Sequence, residues 1–502
     1  MKNPFAKVFL IVGPLGCLGF VVGIIVLVIL FYVEEDWRAA HEWAALKTKW
    51  EAKGVSFDRH AYAPESIPDD QNLAAIPLFE QESPPDGSPD KQPLKLRKAF
   101  RLDQSGYEPP QTGSWMKGEP LNMAKIQETI GKLYAKAFKD STPPANTLAQ
   151  LEALHPVLAE LREASKTHPL CRFDEDYEIA LPAGRPLMLL TSQLAVSKML
   201  NLHANLALMD HQPDLALADL KVNFNLMSGM RRDPSLIAGL VGIAMNAIAT
   251  SAIYHGLVLH AWNNAQLVDL ESELRSIDFL QNHQSVMRGE AVAEIAPTID
   301  FTKKNMPKYL TGMTSDEPFI MNKTIVSLWP SGWLDFNKVS AVNMVLSNSA
   351  VADPKSHRVF TDQSDDLQNK YKEFEERGDV EAPWNFLYLI MCGPVLNSTV
   401  KFAQAQVWVD ETRIACALER YRLAHNAYPS SLDALAPTFI AEVPHDIITG
   451  DPYHYQLHPD GTFLLYSVGW NQTDEDGQIV YKKDAPTQID YAQGDWPWPV
   501  PR

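Results

Sequence analysis

Asn471, Asp474 and Asp476 place three oxygen-bearing side chains within six residues, and Gly477 directly after them permits a tight turn. Oxygen donors of this kind suit a hard cation, although Ca²⁺ takes roughly six to eight of them, so backbone carbonyls or water would have to complete a shell. The competing reading is an ordinary acidic surface loop. Other chemistry is scarce. The chain contains no G-x-S-x-G, H-E-x-x-H, G-x-x-x-x-G-K-[ST] or G-x-G-x-x-G, so nucleophile elbows, zinc-protease helices, P-loops and dinucleotide fingerprints are all missing. His255 and His260 stand five residues apart, ~140° around a helix, which is a poor ligand pair. Asp69 and Asp70 follow Pro68 at a helix start, where acids favour the positive end of the dipole; that role outweighs a catalytic pair. A glycosidase-type acid pair drawn from distant positions would leave no local trace. Of the four cysteines, Cys171, Cys392 and Cys416 lie far apart and form no metal-ligand spacing, so at most one bridge is open to them.

The acidic loop can act only where its neighbours hold it. Upstream, Trp408 to Asn426 reads as an amphipathic helix, with Ile414, Leu418 and Tyr421 on one stripe and Glu411, Arg413, Glu419 and Arg422 elsewhere. A short helix at 428–435, a turn at 446–451, and two alternating strands, Tyr453 to Leu457 and Phe463 to Val468, follow; Pro459-Asp460-Gly461 makes the hairpin turn. The tail Gly494-Asp495-Trp496-Pro497-Trp498-Pro499 is too proline-rich for a central strand. Its tryptophans either fold back on the module, the preferred reading, or present a docking motif.

Four motifs in this region are Ala417-Leu418-Glu419-x-Tyr421 running to Tyr428-Pro429, Pro444-x-Asp446, Gly450-Asp451-Pro452-Tyr453-x-Tyr455, and Tyr466-Ser467-x-Gly469. Together they resemble the C-terminal domain of the major pseudopilin of type II secretion systems, over about the last fifth of the chain. The ending is also similar to that of large membrane-anchored bacterial proteins whose helical middle parts carry no known activity. The resemblance implies a small α+β module and a calcium ion in the loop after Tyr-Ser-x-Gly, with Asn471, Asp474 and Asp476 as ligands.

At the other end, Val8 to Val33 runs 26 residues without a charged side chain, behind Lys2 and Lys7 and ahead of Glu34, Glu35 and Asp36. At ~1.5 Å per residue such a helix crosses the ~30 Å hydrocarbon core with some tilt. The positive-inside bias puts residues 1–7 in the cytoplasm and everything after 33 outside. The run is too long for a cleaved signal and lacks an A-x-A exit, and no prepilin leader precedes it. The expectation is a single-pass protein of the bacterial inner membrane, meeting the bilayer through 8–33, with most of the chain periplasmic.

The chain of 502 residues carries a formal charge of −18, and only two lysines precede Glu34, so the outer part is strongly acidic. That argues against nucleic acid as a partner, because phosphate recognition needs dense Lys and Arg. Residues 34–57 read as a juxtamembrane helix stopped by Gly54, with Trp37 at headgroup level and Trp43 and Trp50 packed inward. Residues 58–120 read as a proline-rich linker, 121–396 as an α-helical body, and 397–502 as the pseudopilin-like module. In the body, Leu187–Met209 and Leu215–Met227 flank Pro213 as a helical hairpin. Leu236 to Val258 is apolar enough to be a second span, but Arg231 and Arg232 would then lie on the outer side and Asn246, Tyr254 and His255 would need partners in lipid; a buried core helix is preferred. The fold class expected is therefore mainly α: one N-terminal transmembrane helix, an α-helical body, and a small C-terminal α+β module with a short antiparallel sheet. The functional expectation is a membrane-anchored extracytoplasmic scaffold or binding protein, without a catalytic motif, that meets an envelope protein partner. The alternatives are an envelope hydrolase acting on glycans through carboxylates in the body, and an accessory component of a secretion or pilus-like assembly.

Overall fold

The computed structural model describes residues 4–80, 94–100, 115–139, 141–173, 187–309, 330–381 and 385–500, with side chains of the first helix described from Gly19 onward. Much of the expected linker, at 81–93 and 101–114, lies outside the described residues, as do 174–186 and 310–329 of the body and the side chain of Cys17. The chain is mainly helical with a small β region at its C-terminal end.

The first helix, α1, runs without interruption over Pro4–Glu51, so the expected span and juxtamembrane helix are one rod. It stops where Gly54 takes φ +79°, a conformation open to glycine without penalty. The body is bolted to this rod. Helices α2 (Leu94–Ala99), α3 (Met123–Ala137), α4 (Thr147–Leu154), α5 (Val157–Thr167), α6 (Leu187–Met209), α7 (Pro213–Arg232), α8 (Leu236–Val258), α9 (Asn264–Arg275), α10 (Phe279–Gly289), α11 (Ala296–Tyr309) and α12 (Ser331–Asn348) follow in order, and α12 lies along α1. The Asp36 carboxylate of α1 accepts from the Gly332 amide at 2.6 Å and the Ser331 hydroxyl at 2.8 Å, so one helix caps the N-terminus of another. The Trp333 indole donates to Glu35 at 3.0 Å, and Lys49 and the Trp50 indole both donate to Asn343. A Cβ at Gly332 would stand 2.5 Å from the Glu35 carbonyl oxygen, closer than any carbon can approach. Gly332→Ala is therefore expected to push the two helices apart at a cost of ~1–3 kcal/mol. Denaturant unfolding of the wild-type and Gly332→Ala chains checks that cost. As expected, Trp50 is buried, Trp43 packs edge-on against Phe57 and Trp37 is exposed.

The described part of the proline-rich segment does not dangle. Its short 3₁₀ turns bury Leu73, Leu78 and Phe79, and the Asn72 carboxamide bonds the Arg172 amide and carbonyl, both at 2.8 Å. Asp69 and Asp70 are exposed in a first turn, and the capping side chain is Asn72, on the Ala74 amide.

The α6–α7 hairpin forms as expected and packs on α8. Helix α8 is enclosed by α6, α7, α10 and the long C-terminal helix, with Asn246 fully buried among them, and among the described residues it is the one helix found long and apolar enough to cross a membrane. Its first turn is capped by Ser235 and by Glu290, whose carboxylate accepts from the Leu236 amide at 2.9 Å. Beyond α12 come the pair β1 (Ala352–Asp353) and β2 (Arg358–Val359), the charged helix α13 (Thr361–Glu381) and the apolar α14 (Phe386–Leu396).

Helix α15 (Thr399–His425) begins well before the expected amphipathic stretch and is buried on all sides from Phe402 to Glu419, against α8, α9 and α10. The stripe at Ile414, Leu418 and Tyr421 is real, but Glu411 and Glu419 also face inward. The supposed polar side is covered by the end of α8, by α9 and by the strands that follow. Asn426 ends the helix in the left-handed region, its amide on the Arg422 carbonyl. Strands β3 (His454–Leu457) and β4 (Phe463–Ser467) form the expected hairpin, Gly461 taking φ +85° at the turn. The tail folds back as β7 (Trp496–Pro497) on the free edge of β4, where proline costs no ladder bond, and β5 (Ile479–Lys482) pairs separately with β6 (Ala485–Gly494). Because Val359 donates to the Ile447 carbonyl and Arg358 to that of Ile448, the body also clasps the turn at 446–451. No clean boundary falls at 397: the helix of the module is part of the core of the body.

Candidate binding site between the body and the C-terminal sheet

Where α8 ends, α15 passes beneath the β3–β4 hairpin, and the tail crosses over both. The space left between them is a cavity of about 320 Å³. Its size and its mixture of aromatic walls with a few polar groups are those of small-molecule sites. Two edge-to-face ring pairs contribute to its lining: Tyr428 with Phe463, centroids 5.0 Å apart, and Tyr254 with Trp498, 5.7 Å apart. Tyr254 is buried and its hydroxyl has no hydrogen-bond partner. On the far side of Tyr254 and Val258 lies a second cavity of about 200 Å³, bordered by His255 and Met209.

The polar end of the larger cavity is built on Glu419. Arg422, one turn on, grips that carboxylate with two nitrogens at 2.7 and 2.8 Å, His260 Nδ1 approaches at 2.9 Å, and the Tyr428 hydroxyl donates at 3.1 Å. Burial alone would raise the Glu419 carboxyl; the bonds from Arg422 and His260 outweigh it and hold the group below its ordinary range. At the mouth, Asp460 closes the hairpin turn by accepting from the Thr462 amide and hydroxyl, which keeps it ionised. His255 and His260 border different cavities; His260 lies past the end of α8 at φ +50°, so the helical spacing expected of the pair does not apply to it. Burial brings the His255 imidazole down to about 4.

The acidic loop lies elsewhere, on the outer face of the sheet. Asn471, Asp474 and Asp476 do share one loop, but most of their bonds close the loop itself. Asn471 accepts from the Thr473 amide and donates to Glu475, while one oxygen of Asp474 takes the Asp476 amide and the Tyr466 hydroxyl. Those amide and hydroxyl bonds leave the Asp474 carboxyl lowered, the Asp476 amide first among them. Asp476 sits at φ +57°. Among the described residues no three His, Cys, Asp or Glu side chains are grouped as a metal site. What pins the loop is Asp495, from the tail, accepting from the Gly477 amide at 2.6 Å and the Glu475 amide at 3.0 Å. Burial pushes the Asp495 carboxyl up to about 6 against those two bonds. Its other oxygen and one of Glu475 are buried without a partner. Sequence reading missed Asp495 because nothing local ties residue 495 to 475.

A third acid group, Asp410, Glu411 and Asp446, is wholly buried under β4 and borders neither cavity. Asp410 meets His357 at 3.1 Å, and Asp446 accepts from the Ile448 and Val468 amides. Cys171, Cys392 and Cys416 are separate buried thiols, so the bridge open to them in sequence does not form; burial raises the Cys171 thiol to about 12. The chain matches no protein-family model, no curated protein and no solved structure.

Proposed function

We propose that the protein is a membrane-anchored extracytoplasmic scaffold or binding protein, held by the first part of α1 and presenting the body and the C-terminal sheet as one rigid unit. The observation that carries this reading is the division of α1 along its length. Its residues from Phe20 to Val33 are almost all exposed apolar side chains on a helix, while those from Glu35 to Trp50 are fixed to α12. Together with the residues from Val8 onward this stretch makes an uncharged run long enough for a helix to cross the ~30 Å hydrocarbon core, which supports a place in lipid. The acid run that follows and the two leading lysines orient the body outward. Protease added to intact spheroplasts is expected to degrade the sheet and body and leave a short protected N-terminal fragment; a protected C-terminus would sink the orientation. For the glycan-hydrolase alternative, the carboxylates bordering the cavity at the β3–β4 hairpin among the described residues are Glu419 and Asp460, and those bordering a wider cleft of about 530 Å³ beside α1 are Asp58 and Asp300; all four are committed to bonds within the fold.

A second proposal concerns calcium at the loop 471–477. It is supported by the two unpartnered buried oxygens of Asp495 and Glu475 beside Asp474, which a cation would satisfy. Binding to the folded chain alone must raise stability by mass action. Excess calcium should therefore raise the melting temperature of the full chain over its value in chelator, and Asp495→Asn should abolish the increase. Identical melting of the wild type in both conditions would reduce the loop to a solvated turn.

A further inference from the structure

We propose that the 320 Å³ cavity between α8, α15 and the β3–β4 hairpin binds a small organic cation with an apolar or aromatic body, of the arylalkylammonium class. The inference rests on the cavity and is independent of which side of a membrane it faces. Charge decides the class first. The side chains bordering the cavity include two carboxylates, Glu419 and Asp460, and among the described residues no lysine or arginine. Arg422 and His260 both bond Glu419 and offset its charge, which leaves Asp460 at the mouth as the lining carboxylate without an ion pair among the described residues. An anion would meet repulsion there, and a cation attraction.

The walls decide the rest. Tyr254, Tyr428, Phe463 and Trp498 all line the space, and ring faces attract ammonium groups through their quadrupoles, most strongly where water is excluded. Leu257, Val258 and Ala415 complete an apolar floor suited to a hydrocarbon or aryl portion. Tyr254 adds a buried hydroxyl without a hydrogen-bond partner, as Asn246, Thr250 and Ser251 do elsewhere on the same helix, and of these Tyr254 is the one that borders the cavity. An aryl group between the ring pairs, with its ammonium toward Asp460, satisfies charge and shape together.

The test is equilibrium dialysis of the full chain in lipid nanodiscs, with empty nanodiscs subtracted, against three probes of matched size: 2-phenylethylammonium, 2-phenylethanol and 3-phenylpropionate. The ammonium is expected to bind with one site per chain and at least ten-fold more tightly than the carboxylate. Asp460→Asn keeps the oxygen that closes the turn on Thr462, so the fold should persist while the advantage of the ammonium over the alcohol shrinks several-fold. Phe463→Leu should weaken the ammonium and spare the order of the other two. Equal or better binding of the carboxylate, no saturable binding of any probe, or an Asp460→Asn protein with an undiminished preference for the ammonium would each overturn the proposal. None of those results would touch the protease-based topology.

Discussion

Replacing Arg162 with Met is expected to cost the folded chain ~3–5 kcal/mol, because it leaves a fully buried carboxylate without its cation. Asp219, on α7, has no exposed surface; it accepts from Arg162 of α5 at 2.8 Å and from His203 of α6 at 2.6 Å. Three helices are tied at this point, and Arg162 is itself almost buried. Removing the guanidinium keeps the packing of its stem roughly intact and leaves the buried Asp219 with His203 as its one remaining side-chain partner among those described. The double variant Arg162→Met with Asp219→Leu should recover most of the loss, since replacing both partners removes the desolvation penalty along with the attraction. Denaturant unfolding of the full chain checks both. A single-variant cost below about 1 kcal/mol would mean that the pair is solvated.

The pair also shows where sequence reading stops. The α6–α7 hairpin and helix α8 were legible because their apolar residues and the turn at Pro213 are local signals. The partners of Asp219 were not, since a single Asp on a helix looks the same whether it faces water or an arginine 57 residues away. The same limit explains α15. Periodicity assigned Glu411 and Glu419 to a polar side, and elements distant in sequence, the end of α8 and α9 on one hand and the C-terminal strands on the other, turn that side into interior. Conversely, the junction of α1 and α12 hides in a glycine. Nothing near Gly332 in the sequence marks it as the point that admits the Glu35 backbone.

The candidate cavity was invisible for a related reason. Its parts were each recognised for a local role: Pro459-Asp460-Gly461 as a turn, Trp498 as a tail residue, His260 as half of a poor ligand pair. Glu419 and Tyr428 were seen as elements of a pseudopilin-like pattern. What makes them a site is the passage of α8 beneath them, about 160 residues earlier in the chain. The acidic loop was the reverse case: its donors lie within one short segment and stand together in the structure, but most of their oxygens bond that same segment.

The second large effect is expected at Glu411, where Glu411→Gln should stabilise the protein at pH 8 and make little difference near pH 4. The Glu411 side chain is buried beside Asp446 and Asp410, with His357 and Tyr453 meeting Asp410 from other elements. Burial first, then the charges of Asp446 and Asp410, raise its carboxyl well above the ordinary range. In the unfolded chain the same group ionises near its reference value of 4.5. A raised acid contributes stability that is fully present below the unfolded value and is lost as pH rises through the folded one. Gln imitates the protonated acid at every pH, so the variant escapes that loss, and neighbouring Asp446, itself raised mainly by burial, is relieved of one like charge. The His357 contribution has the same pH sense, since its bond to Asp410 raises the imidazole, but it is common to both proteins and cancels in the difference. Melting temperatures of wild type and variant from pH 4 to pH 8 should therefore diverge by several degrees at the alkaline end, a shift on the order of a few kcal/mol. Parallel curves, or a variant less stable at pH 8, would show that Glu411 is ionised and bonded in the folded chain.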